Sequence, residues 1–324
     1  MKLLVVDDEP LFLELMSKYL GSLGYADVRT CTTAQAALDA IASETSPFDC
    51  CLLDIKMPGM DGIELCGRIR AHPEYAVTPI VMITAMTEKS YVDEAFRAGA
   101  NDYVNKPIDR VELEARMGMV ENLVAERVNS SMLLRQLGDA SRGPQAKVDF
   151  AAPILLEEVD GVIALSSMEN YLLRLGKLHL YSNATVGIHI KNVERIFAET
   201  GGAEFMDILG EVAQAISDVL HDCESLLSYA GKGDFCCIRS RTRNADPEEL
   251  ALQINDRIAR GLNALLGDDV SLPLVSIGKA QMPRLVHFGD ATDLIYRAID
   301  DARAASNPTS APARGTMPAK RHAS

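Results

Sequence analysis

Short apolar runs alternate with amphipathic stretches through the first third of the chain. Leu3–Val6, Val28–Cys31, Cys50–Leu53, Ile80–Ile83 and Tyr103–Val104 are bounded by turn or polar residues, the pattern of buried strands. Between them, Leu11–Leu23, Ala34–Ala42, Ile63–Arg70 and Tyr91–Ala98 carry apolar residues at helical spacing. Repeated strand–helix alternation predicts an α/β domain over residues 1–120, with a parallel sheet covered on both faces. The third run ends abruptly in Asp54, followed by the turn chemistry of Pro58-Gly59 and Asp61-Gly62. Asp54 is therefore expected at a strand's carboxyl end, where open α/β sheets place their ligands.

From Asp109 to Leu137 the pattern is helical, with no proline and one glycine. Leu113, Met117, Val120 and Val124 keep coiled-coil spacing, Arg127 and Ser131 interrupt it, and Leu134 resumes it. Residues 109–153 are read as a helical stalk and linker. The stalk either pairs two copies into a homodimer or is a solvated connecting helix. A second globular segment spans 154–306, with helical patterns at Met168–Leu180, Ala203–Leu220, Pro247–Leu265 and Asp290–Ala305. Its strand-like runs are Thr185–Ile190, Leu226–Tyr229, Phe235–Ile238 and Leu272–Ile277. Residues 307–324, rich in Pro, Ala, Ser and Thr, are expected to be a disordered tail.

The formal charge of −14 disfavours a general nucleic-acid or membrane-surface binder, and no helix-turn-helix pattern accompanies it, so no DNA partner is expected. Seven cysteines, an odd number set mostly in apolar segments, read as buried residues of a reducing compartment. The opening apolar run is cut by Asp7-Asp8-Glu9, and no run approaches the roughly 18 apolar residues of a membrane span. The expectation is a cytoplasmic protein without a membrane partner.

Asp7, Asp8 and Asp54 all follow predicted strands, and neighbouring strand ends of a parallel sheet would bring them together. Clustered carboxylates need a compensating cation. Oxygen ligands favour Mg²⁺, and phosphoryl transfer is the chemistry such a site suits. Lys106 could supply an ammonium and Thr84 a hydroxyl.

The motifs Val6-Asp7-Asp8-Glu9, Asp54-x-x-Met57-Pro58-x-Met60-Asp61-Gly62, Thr84-Ala85 and Lys106-Pro107 together resemble the receiver domain of two-component response regulators. The resemblance implies a flavodoxin-like, doubly wound, five-stranded parallel sheet. It implies that Asp54 accepts a phosphoryl group from a histidine kinase or phosphotransfer protein. Mg²⁺ would be held by Asp8 and Asp54, by Asp7 through water and by the backbone carbonyl of Lys56. Thr84 and Tyr103 would form the switch pair, Tyr103 repacking the face beside the last helix. Lys56 and Met86 offer no carboxylate or carboxamide to position a hydrolytic water, which predicts a long-lived phosphoryl group.

The second segment resembles the GGDEF (diguanylate cyclase) family over Asp160–Leu175, over Ser276-Ile277-Gly278, over Leu294–Ala298 with Arg303, and at the hairpin Gly231-Lys232-Gly233-Asp234-Phe235. That resemblance implies a cyclase-like α/β domain with a ferredoxin-like core, but a degenerate one. The family's metal-binding acids fall on His189, Lys191 and Gly233, leaving Asp234. The closing lysine is Ile299, and the inhibitory-site arginine is absent from Asp222-Cys-Glu-Ser225. The expectation is a non-enzymatic output acting on an unknown protein or through dimerisation. The alternatives are nucleotide or cyclic di-GMP sensing and residual cyclase activity through Asp234.

Overall fold

The computed structural model describes residues 1–85, 89–138, 148–156, 159, 161–175, 177–220, 225–241, 246–262, 271–283 and 291–306, the side chains of 126–138 and 177–178 excepted. The first lobe runs β1 (Lys2–Val6), α1 (Pro10–Ser22), β2 (Asp27–Cys31), α2 (Ala34–Ser43), β3 (Cys50–Asp54), α3 (Gly62–Arg70), β4 (Ile80–Thr84), α4 (Lys89–Arg97), β5 (Asp102–Asn105) and α5 (Arg110–Gly138). Its strands are all parallel, in the order β2-β1-β3-β4-β5. This is the doubly wound, flavodoxin-like order, whose switch point lies between β1 and β3.

Every residue of β3 and β4 is buried. Helices cover both faces of the sheet, so the central strands read as continuous apolar runs. Successive side chains point to opposite faces. Leu4, Val6, Cys51, Leu53 and Met82 pack with α2 and α3, while Leu3, Val5, Cys50, Leu52, Val81 and Ile83 pack with α1 and α5. Local chemistry sets the helix starts. Pro10 opens α1. Thr33 caps α2 by accepting from Ala36 N at 3.1 Å, and Asp61 caps α3 by accepting from Glu64 N at 2.8 Å.

The coiled-coil seam of the predicted stalk has another use. Leu113, Met117 and Val120 are buried in the core of the first lobe, with Val124 packed against it. A stripe at that spacing fits a helix lying on a sheet as well as it fits a paired helix, and the sheet takes it. A dimer stalk built on these residues is thereby corrected. The remaining seam positions, Arg127, Ser131 and Leu134, have side chains outside the described residues, as do Met86, most of the 138–153 linker and the 307–324 tail.

The second lobe comprises α6 (Leu165–Arg174), α7 (Lys177–Ser182), β6 (Asn183–Lys191), α8 (Val193–Thr200), α9 (Gly202–Leu220), β7 (Leu226–Gly231), β8 (Asp234–Ser240), α10 (Pro247–Leu262), β9 (Leu274–Ile277) and α11 (Asp293–Ser306). The strands form an antiparallel sheet ordered β7-β8-β6-β9. The helix expected over Met168–Leu180 is two helices, because the backbone turns extended at Leu175. Helix α8, with only Val193 and Ile196 buried, is too short for its period to stand out in the sequence. Helix α11 lies hard against β6, where a Cβ on Gly187 would sit 2.1 Å from the Ala298 carbonyl oxygen.

The two lobes share a hydrophobic cluster. Val92 and Phe96 of α4 pack with Ile163, Met168, Tyr171, Leu172, Ile295 and Ile299 of the second lobe. No helix among the described residues is long and apolar enough to cross a membrane. Among the described residues six cysteines, the pairs Cys50-Cys51 and Cys236-Cys237 among them, are free and buried. Burial pushes the Cys66 thiol up to about 11 and the Cys51 thiol to about 12, so they stay neutral core residues.

Candidate functional site

The register Val6↔Leu53 sets the ends of β1 and β3 side by side, and this places Asp7 and Asp54 together at the switch point. Asp7 is fully buried, and Asp54 and Thr84 nearly so. Lys106 follows β5, which pairs with β4 as Thr84↔Asn105, and its backbone N–H donates to the Thr84 carbonyl at 2.7 Å. Its side chain then reaches across the sheet ends. The Nζ donates to Asp7 Oδ2 at 2.6 Å and lies 2.8 Å from Asp54 Oδ1. The ring of Phe12, on α1, lies under the same ammonium, 4.3 Å from its centroid. Asp7 Oδ1 also accepts from Glu9 N at 2.9 Å.

Burial pushes the Asp54 carboxyl above its usual range, and the charges of Asp7 and Asp8 add to the rise against the opposing pull of Lys106. Burial alone would lower the lysine, but its bonds to Asp54 and Asp7 outweigh that and raise it. Two buried carboxylates thus share one ammonium. The expected convergence of three acids is realised as this bridged pair, with Asp8 exposed beside it and Lys56 also exposed. Among the described residues no group of three or more His, Cys, Asp or Glu side chains stands ready to hold a metal.

Comparison with known proteins decides the family. The family model of the response regulator receiver domain matches residues 3–118. Chemotaxis protein CheY-3 of Vibrio cholerae is 32% identical over 120 residues, covering 37% of this chain and 91% of that protein. The chain belongs to the response regulator receiver family. Transcriptional regulatory protein ResD of Bacillus subtilis is 40% identical over 117 residues, 36% of this chain and 46% of ResD. Transcriptional regulatory protein AruR of Pseudomonas aeruginosa is 35% identical over 145 residues, 43% of this chain and 58% of AruR. The chain spans about half the length of these two regulators.

In the receiver, Tyr103 lies on β5 two residues before the partner of Thr84. Its ring stands edge-on to Phe96 at 6.4 Å, and its hydroxyl donates to the carbonyl of Arg174, on α6, at 3.4 Å. The resemblance pointed to the face beside the last helix, and the structure adds that the second lobe covers part of it. Nothing in the sequence marks Arg174 as a neighbour of Tyr103.

The hairpin Gly231-Lys232-Gly233-Asp234-Phe235 joins β7 to β8, with Gly231, Lys232 and Gly233 all at positive φ. Its surroundings are crowded. A Cβ on Gly231 would lie 2.3 Å from the Ala151 carbonyl oxygen, and one on Gly233 would lie 2.6 Å from the Val193 side chain. Lys232 N donates to the Phe150 carbonyl at 2.9 Å, so residues just before the lobe lie over the turn. Asp234, 1% exposed, bonds His189 Nδ1 at 2.8 Å. The Arg303 guanidinium forks onto both of its oxygens, Nε at 3.1 Å from each and Nη2 on Oδ2. Arg303 belongs to the motif that closes the resemblance, but its contact with Asp234 is visible only in three dimensions.

Proposed function

We propose that Asp54 accepts a phosphoryl group from a histidine kinase or phosphotransfer protein, and that the second lobe is a catalytically inactive cyclase-like output working through protein contacts. The observation that carries the first half is the buried Asp54 at the β1/β3 switch point, with Lys106 Nζ 2.8 Å from Oδ1. With Lys106 on Oδ1, Oδ2 is the atom that attacks phosphorus. A P–O bond forms there as the bond to the donor's imidazole nitrogen or acyl oxygen breaks, and the leaving group keeps that electron pair. Lys106 then offsets charge gathering on the phosphoryl oxygens, and the Thr84 hydroxyl lies at the end of the adjacent strand to donate to one of them.

The oxygen-only donors suit Mg²⁺, and a pair of buried acids sharing one ammonium leaves negative charge for it to balance. Asp7, Asp8, Asp54 and the Lys56 carbonyl would hold it. When bound, the ion offsets charge on the transferring phosphoryl group.

The order β7-β8-β6-β9, with two helices between β6 and β7 and one between β8 and β9, is a ferredoxin-like arrangement. It supports the cyclase-like reading of the lobe. The one acid left in its hairpin, Asp234, is buried, ion-paired with Arg303 and hydrogen-bonded to His189, and so is not open to a metal. An output through protein contact follows, with no turnover of GTP.

The test uses the full chain with acetyl phosphate and MgCl₂, read by intact mass. We expect one added phosphoryl group in the wild type and none in Asp54→Asn or in the presence of a chelator. Lys106→Ala should slow uptake on the order of 10²-fold. Absence of label in the wild type, or equal labelling of Asp54→Asn, overturns the reading.

A further inference from the structure

We propose that the cavity between the two lobes binds a small amphiphilic anion, an apolar chain carrying one carboxylate, with the Arg97 guanidinium as anchor for its head group. The site is separate from Asp54, and nothing in the inference depends on phosphoryl transfer.

The cavity has a volume of about 830 Å³, within the range that small-molecule sites occupy. Its receiver wall comes from the end of α3, the loop before β4 and the turn between α4 and β5. Residues drawn from 153–167 close it from the second lobe. It therefore lies at the amino ends of β4 and β5, at the opposite end of the receiver sheet from Asp54. Val77, Leu123, Leu155, Val159 and Ile163 give it apolar walls. The chain has 46 acidic residues, yet the described residues that line the cavity include none, while two of them, Arg70 and Arg97, are arginines. Within a chain of net charge −14, this is a cavity whose own walls leave positive charge unbalanced.

The two arginines differ in what they have left to give. Arg70 spends its donors on the protein. Its Nε and Nη2 donate to the Gly99 carbonyl at 2.9 and 2.8 Å, its Nη1 to the Tyr75 carbonyl at 2.8 Å, and Nη2 also to Asn101 Oδ1 at 2.8 Å. It contributes charge rather than donors. Arg97, half-buried at the end of α4, has its Nε enclosed without a hydrogen-bond partner among the described residues. The acids one turn back on the helix do not serve it. Asp93 is taken by the Tyr171 hydroxyl on Oδ1 at 2.7 Å and by Lys89 on Oδ2, and Glu94 is exposed to solvent. A buried donor without an acceptor is costly, and a carboxylate in the cavity removes that cost.

The first turn of α6 adds to the same field. Its N-cap, Ala164, has no side chain to receive the leading N–H groups, and Ala164, Ser166 and Ser167 line the cavity. The positive end of the helix dipole favours an anion there. One guanidinium with a donor to spare, among apolar walls, matches one head-group charge and an apolar tail rather than a polyphosphate.

The test titrates the full chain calorimetrically with decanoate, and with decan-1-ol as its uncharged counterpart, for wild type, Arg97→Ala and Arg97→Lys. We expect decanoate to saturate at one per chain and to bind at least about 10-fold tighter than decan-1-ol. Arg97→Ala should lose that advantage and leave decan-1-ol unchanged, and Arg97→Lys should recover part of it. Amide hydrogen exchange should slow over residues 97–101 and 161–167 when decanoate is bound, a readout that adsorption elsewhere would not give. No saturable binding of decanoate overturns the proposal. So does equal affinity for decanoate and decan-1-ol, binding that Arg97→Ala leaves intact, or protection confined to other segments.

Discussion

Gly62→Ala is expected to destabilise the receiver by about 3 kcal/mol, at the upper end of the range for overpacked sites. A Cβ at this position would stand 2.0 Å from the Asp54 carbonyl oxygen, 2.8 Å from its carbon and 3.1 Å from Ile55 Cα. All three are backbone atoms, so no rotamer change relieves the contact. The first turn of α3 or the end of β3 must move. The Gly62 N–H also donates to the Ile55 carbonyl at 2.9 Å, so the same shift strains a bond that fastens the loop after Asp54. If Asp54 is the phosphoacceptor as proposed, a displacement approaching 1 Å there is expected to lower phosphoryl uptake roughly 10²-fold. Urea denaturation and the acetyl phosphate assay measure the two effects. A loss below about 1 kcal/mol would show that the loop yields more easily than its backbone contacts indicate.

Arg303→Ala and Asp234→Asn should differ sharply although they break the same pair. Asp234 has 2% of its side chain exposed and Arg303 44%. Removing the guanidinium strands a buried carboxylate whose remaining side-chain hydrogen-bond partner among the described residues is His189 Nδ1. Breaking a fully buried pair costs about 3–5 kcal/mol, and the partly solvated arginine reduces that to about 2–3 kcal/mol here. Removing the charge from Asp234 instead leaves an amide oxygen that can still accept, while Arg303 turns to water, at a cost of about 1 kcal/mol or less. The double variant Arg303→Met, Asp234→Asn should recover most of the loss of Arg303→Ala. Equal losses in the two single variants would contradict the asymmetry of burial.

The candidate site was legible because each of its parts is announced locally. An apolar run ends in Asp7, another in Asp54, a third in Thr84, and Lys106-Pro107 closes the last. Strand order then makes neighbours of them without further information. What the sequence hid depends on context that no local window carries. Leu113, Met117 and Val120 have the same spacing whether the helix meets a second helix or a sheet. The contact between Asp234 and Arg303 joins residues 69 positions apart, and that between Tyr171 and Asp93 joins residues 78 apart. Phe96 and Tyr171 read as ordinary core residues of their own lobes, and nothing in either segment says that they form one core. Asp8 marks a different limit. Adjacency to Asp7 placed it beside the site but did not reveal its exposure: successive residues leaving a strand diverge, so Asp7 is buried and Asp8 exposed, its charge still raising the Asp54 carboxyl.

The cluster that joins Val92 and Phe96 to Met168, Tyr171 and Ile295 alters how the chain can be taken apart. Response regulators invite treatment as interchangeable modules, with the linker as the natural cutting point. Here a cut between residues 138 and 153 would leave each fragment with half of an apolar cluster facing water. A cut moved to the end of α6 would divide the same cluster again, because Ile295 and Ile299 of α11 belong to it, so a chimera that keeps the packing must carry both lobes.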